Sequence, residues 1–484
     1  MISINRVSSW AVFERLIVAT IQFAILLVLV RFVLPSEMGI AILCLAIIFF
    51  INSAFVSSLS NILLQKDEVD ELDYSTAFYG QLIVAIIFYS LLYVSAGVLA
   101  RGLQIDGMET ALRIIGVTLF FYAISSLYKV HMRRTVNESS SFFLQVCSAF
   151  IAAILCFFLA IFQYGTYAVL LWTFFYQFFF VLLLILFYTW RPRLRFSYQR
   201  LRTTVLEGWQ LVVTSGVDAL FRNGQLVAIG QLFQPAALSF YVRGDRLPRS
   251  IVEQWMPSFQ HTLHRMVTKL KHGGEKLQIK IRGIVVLSGF VIFPLMTLLF
   301  VTAEPLILVL FGERWLMTVP FVKIFSIYYA FLAVASVFSQ SITLLDNSDR
   351  LMKLDLLLKG ILLLLWVISF PFGVQAVAIS MIVFSIVSLC LHRFLMKPYI
   401  HYPMVQVVKD CAPAFLLSCS MGVLIYVLQF LLPSSILLIV LQVMIGVLFY
   451  GGLAYYLKFH GWNLFAQTVS ALYGRISRKK STKI

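Results

Sequence analysis

Apolar residues run through this chain in blocks broken by charge clusters, proline and glycine, from residue 11 to residue 457. About 20 helical residues cross a hydrocarbon core about 30 Å thick. Blocks of that length predict fourteen spanning helices, at 11–34, 39–63, 78–100, 111–130, 142–162, 167–189, 209–233, 236–260, 283–303, 319–345, 354–372, 374–395, 411–432 and 435–457. The expected fold is an all-α polytopic membrane protein.

The breaks carry an orientation signal. With the N-terminus in the cytoplasm, the cytoplasmic connections hold Lys129, Arg133 and Arg134, then Arg191, Arg193, Arg195, Arg200 and Arg202, then Arg265, Lys269, Lys271, Lys276, Lys280 and Arg282. Arg350 and Lys353, Arg393, Lys397 and Lys409, and the tail with Arg475, Arg478, Lys479 and Lys480 continue the series. The opposite side has little beyond Arg31, Arg101, Arg113 and Arg314. That asymmetry predicts an inner-membrane protein with both termini cytoplasmic.

Composition then acts mainly by exclusion. The chain is 61% apolar and 12% charged, with a mean hydropathy of +0.93, whereas a soluble domain is about half apolar and roughly a quarter charged. Spans that fill 484 residues leave no room for a separate enzymatic domain of about 100–150 residues. The net charge of +17 sits largely on the cytoplasmic loops, where anionic lipid headgroups attract it, so nucleic acid is not an expected partner. Glu14, Arg15 and Gln22 interrupt the first apolar run, and no small-residue cleavage site follows it, so the first helix is expected to be retained. The six cysteines have no paired loop spacing. His261 and His264 stand at i, i+3, but neither Cys nor carboxylate is arranged beside them, so no metal site is expected.

Two features suggest a doubled layout. Trp10 precedes Arg31-Phe32-Val33-Leu34-Pro35 much as Trp209 precedes Gln231-Leu232-Phe233-Gln234-Pro235, and each proline opens another long helix. The expected organisation is an N-terminal lobe of six helices (1–190), a basic linker (191–208), a pseudo-symmetric C-terminal lobe of six (209–395), and a terminal helix pair with a basic tail (396–484). Repeats of this kind commonly place a substrate site near the midplane.

Charge inside the spans is expensive, about 2.5–3.5 kcal/mol per residue at a helix centre, and here it is concentrated. Helix 1 carries Glu14 and Arg15, helix 7 carries Asp218 and Arg222, and helix 8 carries Arg243, Asp245, Arg246, Arg249 and Glu253. Hydropathy alone rejects helix 8, yet without it every later loop would invert its charge bias, so the segment is expected to cross facing water or protein. Asp218 stands i, i+4 from Arg222, and Asp245 from Arg249. Basic residues outnumber acids on helix 8, and a surplus of guanidinium groups in a low-dielectric cavity is suited to a phosphate or pyrophosphate. Ser53, Ser57, Ser60 and Asn61 form a small polar stripe on helix 2, suited to a wet cavity or to close helix packing. Trp209, Tyr241 and Trp255 lie near the polar helices as candidates for stacking on sugar rings.

Four blocks carry a resemblance: Arg31-Phe32-Val33-Leu34-Pro35 with Gly39, the helix 2 exit Asn61-Ile62-Leu63-Leu64-Gln65-Lys66, the helix 7–8 hairpin from Pro235 to Pro257, and Pro305 through Phe311-Gly312-Glu313-Arg314-Trp315 to Pro320. On these the chain resembles the Wzx-type polysaccharide flippases of the multidrug/oligosaccharidyl-lipid/polysaccharide exporter superfamily. The resemblance implies translocation of an undecaprenyl-pyrophosphate-linked oligosaccharide from the cytoplasmic to the periplasmic leaflet by alternating access, without enzymatic chemistry. The candidate pyrophosphate ligands are then Arg15, Arg222, Arg243, Arg246 and Arg249. Glu14, Asp218, Asp245 and Glu253 are left either to couple a proton or Na⁺ or to pair with arginines, and no other cofactor is expected. The expected partners are the lipid-linked oligosaccharide and membrane lipids, with a polysaccharide polymerase and a chain-length regulator as candidate protein partners. The relatives' small residue and Gly after helix 10 are replaced by Asp346-Asn347-Ser348-Asp349-Arg350. Two rival readings are a cation-coupled multidrug exporter, which calls for a net acidic cavity, and a membrane polysaccharide polymerase or ligase, which calls for a sizeable outward catalytic loop.

Overall fold

A computed structural model describes residues 7–135, 138–270, 274–345, 349–431, 435–467 and 470, with side chains described from Ile17 onward except at a few segment ends and along most of 257–270. The described residues are helical with short connections and contain no strand. Within the described residues, each predicted span falls largely on helical chain. Ten helical stretches among the described residues are long and apolar enough to cross a membrane.

The chain forms two compact units, Met1–Ser239 and Phe240–Ile484. In the first, α1 (Val7–Phe32) packs along α7 (Glu138–Ile161), which packs on α8 (Thr166–Phe187). α2 (Pro35–Ile51) runs through a π-helical segment, Asn52–Val56, into α3 (Ser58–Gln65). α4 (Glu71–Leu103) packs on α5 (Met108–Gly116) and α6 (Thr118–Arg134), and α9 (Tyr198–Leu232) lies against α2, α3 and α4. The sequence assigns α9 to the C-terminal lobe. Its packing on α2–α4 puts the division between compact units after it.

The second unit takes in most of α10 (Pro235–Leu270), then α11 (Gly274–Leu310), α12 (Val319–Leu345), α13 (Asp349–Ser369), α14 (Val374–Leu395), α15 (Met404–Leu431) and α16 (Ile436–Tyr456). Its core is one cluster on α11, α12, α14, α15 and α16, including Phe293, Phe338, Leu389, Leu417 and Tyr450.

Local chemistry explains the ends. Pro35 occupies the first turn of α2, where its missing N–H costs nothing. Asp70 caps α4 by accepting from the Asp73 amide at 2.7 Å, and Asp73 accepts in return from the Asp70 amide at 3.3 Å. The outer faces are equally telling. Ile86, Ile87, Leu91, Val94 and Val98 lie exposed on α4, and Leu437, Val440, Met444, Val447 and Leu448 on α16. Apolar surface this continuous is suited to hydrocarbon, and the chain is a multi-pass membrane protein. α9, α10 and α13 fall outside the ten spans because charged side chains interrupt their apolar runs, and α1 contributes a shorter stretch, Ile17–Phe32.

The basic linker is shorter and better fixed than the sequence suggests, because residues 198–208 already belong to α9. Ahead of them, the Arg193 amide donates to Ser75 Oγ at 3.0 Å and the Ser197 amide to Thr76 Oγ1 at 3.3 Å. Arg200 reaches Asp70 at 3.4 Å and Asp73 at 3.6 Å. Arg191 turns back onto the carbonyls of Ile185, Tyr188 and Trp190. The arginine run therefore holds the end of α8 through Arg191 and the start of α4 through Arg200.

Candidate functional site

Within the first unit, α9 and the α2–π rod enclose a cavity of about 360 Å³. Ser215, Asp218 and Arg222 line one wall with Asn223, and Phe49, Asn52 and Ser53 line the other. Ser215, Asp218 and Arg222 fall at i, i+3 and i+7, one stripe of a helix. Asp218 and Arg222 are exposed to the cavity side, whereas Asn223 is buried and donates to the Ala219 carbonyl at 3.0 Å. The opposite wall is where the helix departs from α geometry. The Ser57 amide bonds the Asn52 carbonyl at 2.9 Å, five residues back, and Ser57 Oγ donates to Asn52 Oδ1 at 2.8 Å. Single π turns inside α-helices occur often at functional sites.

The π turn also rearranges the polar stripe expected on helix 2. An extra residue rotates everything after it by about 100°. Ser53 and Asn61 stay exposed, but Ser60 is buried, with the Gln81 amide group 2.7 Å from its hydroxyl and Ser126 Oγ 3.1 Å away. The stripe is therefore split, part lining the cavity and part forming a polar contact among α3, α4 and α6.

In the second unit, α10 approaches α12 closely at Gly244, where a Cβ would overlap Phe321 Cβ and come within 3.0 Å of the Phe321 carbonyl carbon and the Val322 nitrogen. That approach builds a three-membered network. Asp245 and Arg249 form an ion pair at 2.7 Å across one helical turn. Arg249 Nε donates to Tyr329 Oη at 2.8 Å, and Tyr329 Oη donates to Asp245 Oδ1 at 2.9 Å. Each member satisfies the other two, the condition under which a buried polar group is tolerated in a nonpolar medium. Removing only the hydroxyl with Tyr329→Phe leaves Asp245 and Arg249 each short of one partner. It should lower stability by about 1–3 kcal/mol, measured as a fall in the thermal unfolding temperature of detergent-solubilised protein, while Tyr328→Phe serves as the matched control.

The expected site residues therefore separate by environment. Asp218 and Arg222 come together in the α9 cavity. Asp245 and Arg249 come together with Tyr329. Arg243 is half-buried, and Arg246 and Glu253 are exposed. Arg243 and Arg246 stand i, i+3 on one helix face. The side chains of Glu14 and Arg15, like those of His261 and His264, lie outside the described residues. Among the aromatic candidates, Trp209 and Trp255 are exposed, but Tyr241 is only 4% exposed and meets Phe321 and Phe325 edge to face, so its ring is not open to a sugar. Asn52, Ser215 and Tyr329 were not singled out by the sequence. The helical spacing of Ser215 to Asp218 and Arg222 was a usable signal, whereas Tyr329 is a tertiary partner with no local mark. No group of three or more metal-ligating side chains occurs among the described residues.

Known proteins share this architecture. A family described as polysaccharide biosynthesis protein matches residues 28–320. The teichuronic acid biosynthesis protein TuaB of Bacillus subtilis (strain 168) is 20% identical over 382 residues, covering 75% of this chain and 76% of TuaB. Among solved structures, the lipid II flippase MurJ in an inward closed conformation superposes with a TM-score of 0.73 at 15% identity, covering 91% of this chain and 96% of MurJ. An inward-facing multidrug resistance transporter of the MATE family has a TM-score of 0.59 at 13% identity, covering 79% of this chain and 95% of that one. The fold is thus shared with a flippase and with multidrug transporters, and the family match extends over more than half of the sequence. The chain belongs to the polysaccharide biosynthesis protein family, as the Wzx-type motifs in its sequence indicate.

Proposed function

We propose that this protein turns an oligosaccharide carried on a polyprenyl diphosphate, undecaprenyl diphosphate in the first instance, from the cytoplasmic to the periplasmic leaflet of a bacterial inner membrane by alternating access. It acts as a transporter and breaks no covalent bond. The observation that carries this reading is the charge balance on α10. α10 carries Arg243, Arg246 and Arg249 against Asp245 and Glu253, a basic surplus, and Asp245 is bonded to Arg249 and Tyr329. An anionic head with several acceptor oxygens suits the guanidinium groups of Arg243 and Arg246, which stand i, i+3 on one face of α10. Arg249 is then a positioning residue for α10 rather than a ligand. A cation exporter would want the opposite excess of charge. Depleting the protein in its native host is expected to leave lipid-linked repeat units on the cytoplasmic leaflet and to remove the surface polymer, and an unchanged surface polymer would end the proposal.

Coupling is assigned to the other cluster. Asp218, facing Asn52 and Ser53 across the α9 cavity, has oxygen neighbours suited to a proton or a small cation. Asp218→Asn is expected to abolish the response of transport to an imposed proton or Na⁺ gradient while leaving headgroup binding within about twofold. Transport that still follows the gradient in this variant would remove Asp218 from coupling. A polymerase and a chain-length regulator acting on the delivered repeat units are the proposed protein partners, with both termini of the chain on the cytoplasmic side.

A further inference from the structure

A cleft in the second unit is lined by α11, α15 and the chain that follows α16. It measures about 480 Å³ and lies where α11 and α15 begin and α16 ends. Arg282, Lys409, Asp410 and His460 stand toward the helix starts, whereas Val286, Phe290 and Ala414 lie further along the same helices. At 1.5 Å per residue, the eight residues from Arg282 to Phe290 span about 12 Å. The cleft therefore has a charged end and an apolar end, separated by the length of a glycerol unit and the upper part of an acyl chain.

The charged end is net positive by construction. Asp410 accepts from Arg282 Nε at 2.5 Å and Nη2 at 2.7 Å, and from Tyr402 Oη at 2.8 Å. Its charge is answered inside the protein. Lys409 and His460 are exposed at the same end. One wall is built by a short helical segment after α16, residues 460–467, whose Phe465 ring packs 6.1 Å from Phe290 and 6.3 Å from Trp462. The sequence places only a basic tail beyond residue 457. Instead the chain folds back across the start of α11, and this return shapes the cleft. Its apolar depth lies between two helices that are each long and apolar enough to cross a membrane, so a hydrocarbon chain matches it, and a free phosphate would leave it unfilled.

We propose that this cleft binds one anionic phospholipid of the surrounding leaflet, with its phosphate at Lys409 and His460 and an acyl chain against Val286, Phe290 and Ala414. The site is independent of the transported cargo. Bound there, the lipid bridges α11, α15 and the segment that closes α16, and it ties the terminal helix pair to the rest of the second unit.

The test uses the full chain released from nanodiscs holding equal amounts of phosphatidylglycerol and phosphatidylcholine, with retained lipid read by native mass spectrometry. The wild-type protein is expected to keep phosphatidylglycerol in preference. The double variant Lys409→Gln/His460→Gln, whose substitutions are at exposed positions, should retain it about tenfold less with phosphatidylcholine unchanged. Ala414→Phe, which fills the apolar end, should lower retention of both. Equal retention of the two lipids by the wild type, or of phosphatidylglycerol by wild type and double variant, would overturn the proposal. Added polyprenyl phosphate that displaces phosphatidylglycerol would reassign the cleft to the carrier lipid, and displacement by inorganic phosphate would reduce it to a plain anion site. Either result overturns the phospholipid assignment while leaving the transport reading to its own experiment.

Discussion

Replacing Arg243 and Arg246 together by alanine is expected to reduce transport of the lipid-linked oligosaccharide by at least about 100-fold while leaving the protein folded. A hydrogen bond to a charged group contributes about 1.5–3 kcal/mol, and each 1.4 kcal/mol is about a factor of ten. Two guanidinium groups on one diphosphate give about 3–6 kcal/mol, reduced by whatever the neighbouring contacts recover. Arg246 is exposed and Arg243 half-buried, so truncation opens no apolar core. The matched conservative variant Arg243→Lys/Arg246→Lys keeps the charge but loses the planar fork, and an intermediate rate is expected from it. The checks are surface polymer in cells carrying each variant and the amount of lipid-linked repeat unit left on the cytoplasmic leaflet. Wild-type polymer levels in the double alanine variant, with the protein present at normal amounts, would take both residues out of the site.

Gly244→Val is expected to have a large effect by a different route, through loss of folded protein. The glycine lets α10 sit against the Phe321 backbone, and the Asp245–Arg249–Tyr329 network depends on that spacing. A branched side chain must push the two helices apart. Overpacking alone costs about 1–3 kcal/mol, and the separation adds the loss of a polar network that has no water to replace it. The sum approaches the level at which single substitutions abolish folding. Recovery from the membrane should fall by more than about tenfold, with Gly244→Ala intermediate. Gly39 in α2 provides a parallel case in the first unit, because a Cβ there would overlap the Pro235 carbonyl. Normal expression and thermal stability of Gly244→Val would show that the α10–α12 contact is looser than described.

The spans were legible because their physics is nearly one-dimensional: a run of apolar residues long enough to cross hydrocarbon must be helical whatever its neighbours are. α10 is the instructive exception. It is helical, but its charged residues keep it out of the ten apolar stretches, and the expectation that it crosses rests on the alternation of basic loops on either side of it. The Asp245–Arg249 pair was legible too, since one helical turn fixes both partners. Its third member was not, because Tyr329 lies 80 residues beyond Arg249 and only tertiary packing brings the two together. The stripe on helix 2 divides between its two expected roles for a related reason. Its spacing assumed uniform α geometry, and the turn at Asn52–Val56 takes five-residue bonds. A π turn is rare compared with α geometry, so its adoption here rests on packing that the sequence does not display. Tyr241 has the same lesson at the level of one ring: its position in the chain marks it as near the polar helices, but burial against Phe321 and Phe325 decides what it can touch.

The most direct measurement uses purified protein in liposomes, following the leaflet exposure of a fluorescent polyprenyl-diphosphate oligosaccharide beside an analogue whose diphosphate is replaced by a neutral ether. Rapid exposure of the diphosphate substrate, slow exposure of the neutral analogue, and loss of that difference in Arg243→Ala/Arg246→Ala are the predicted result. Equal rates for both substrates in the wild-type protein would contradict an anion-recognising flippase.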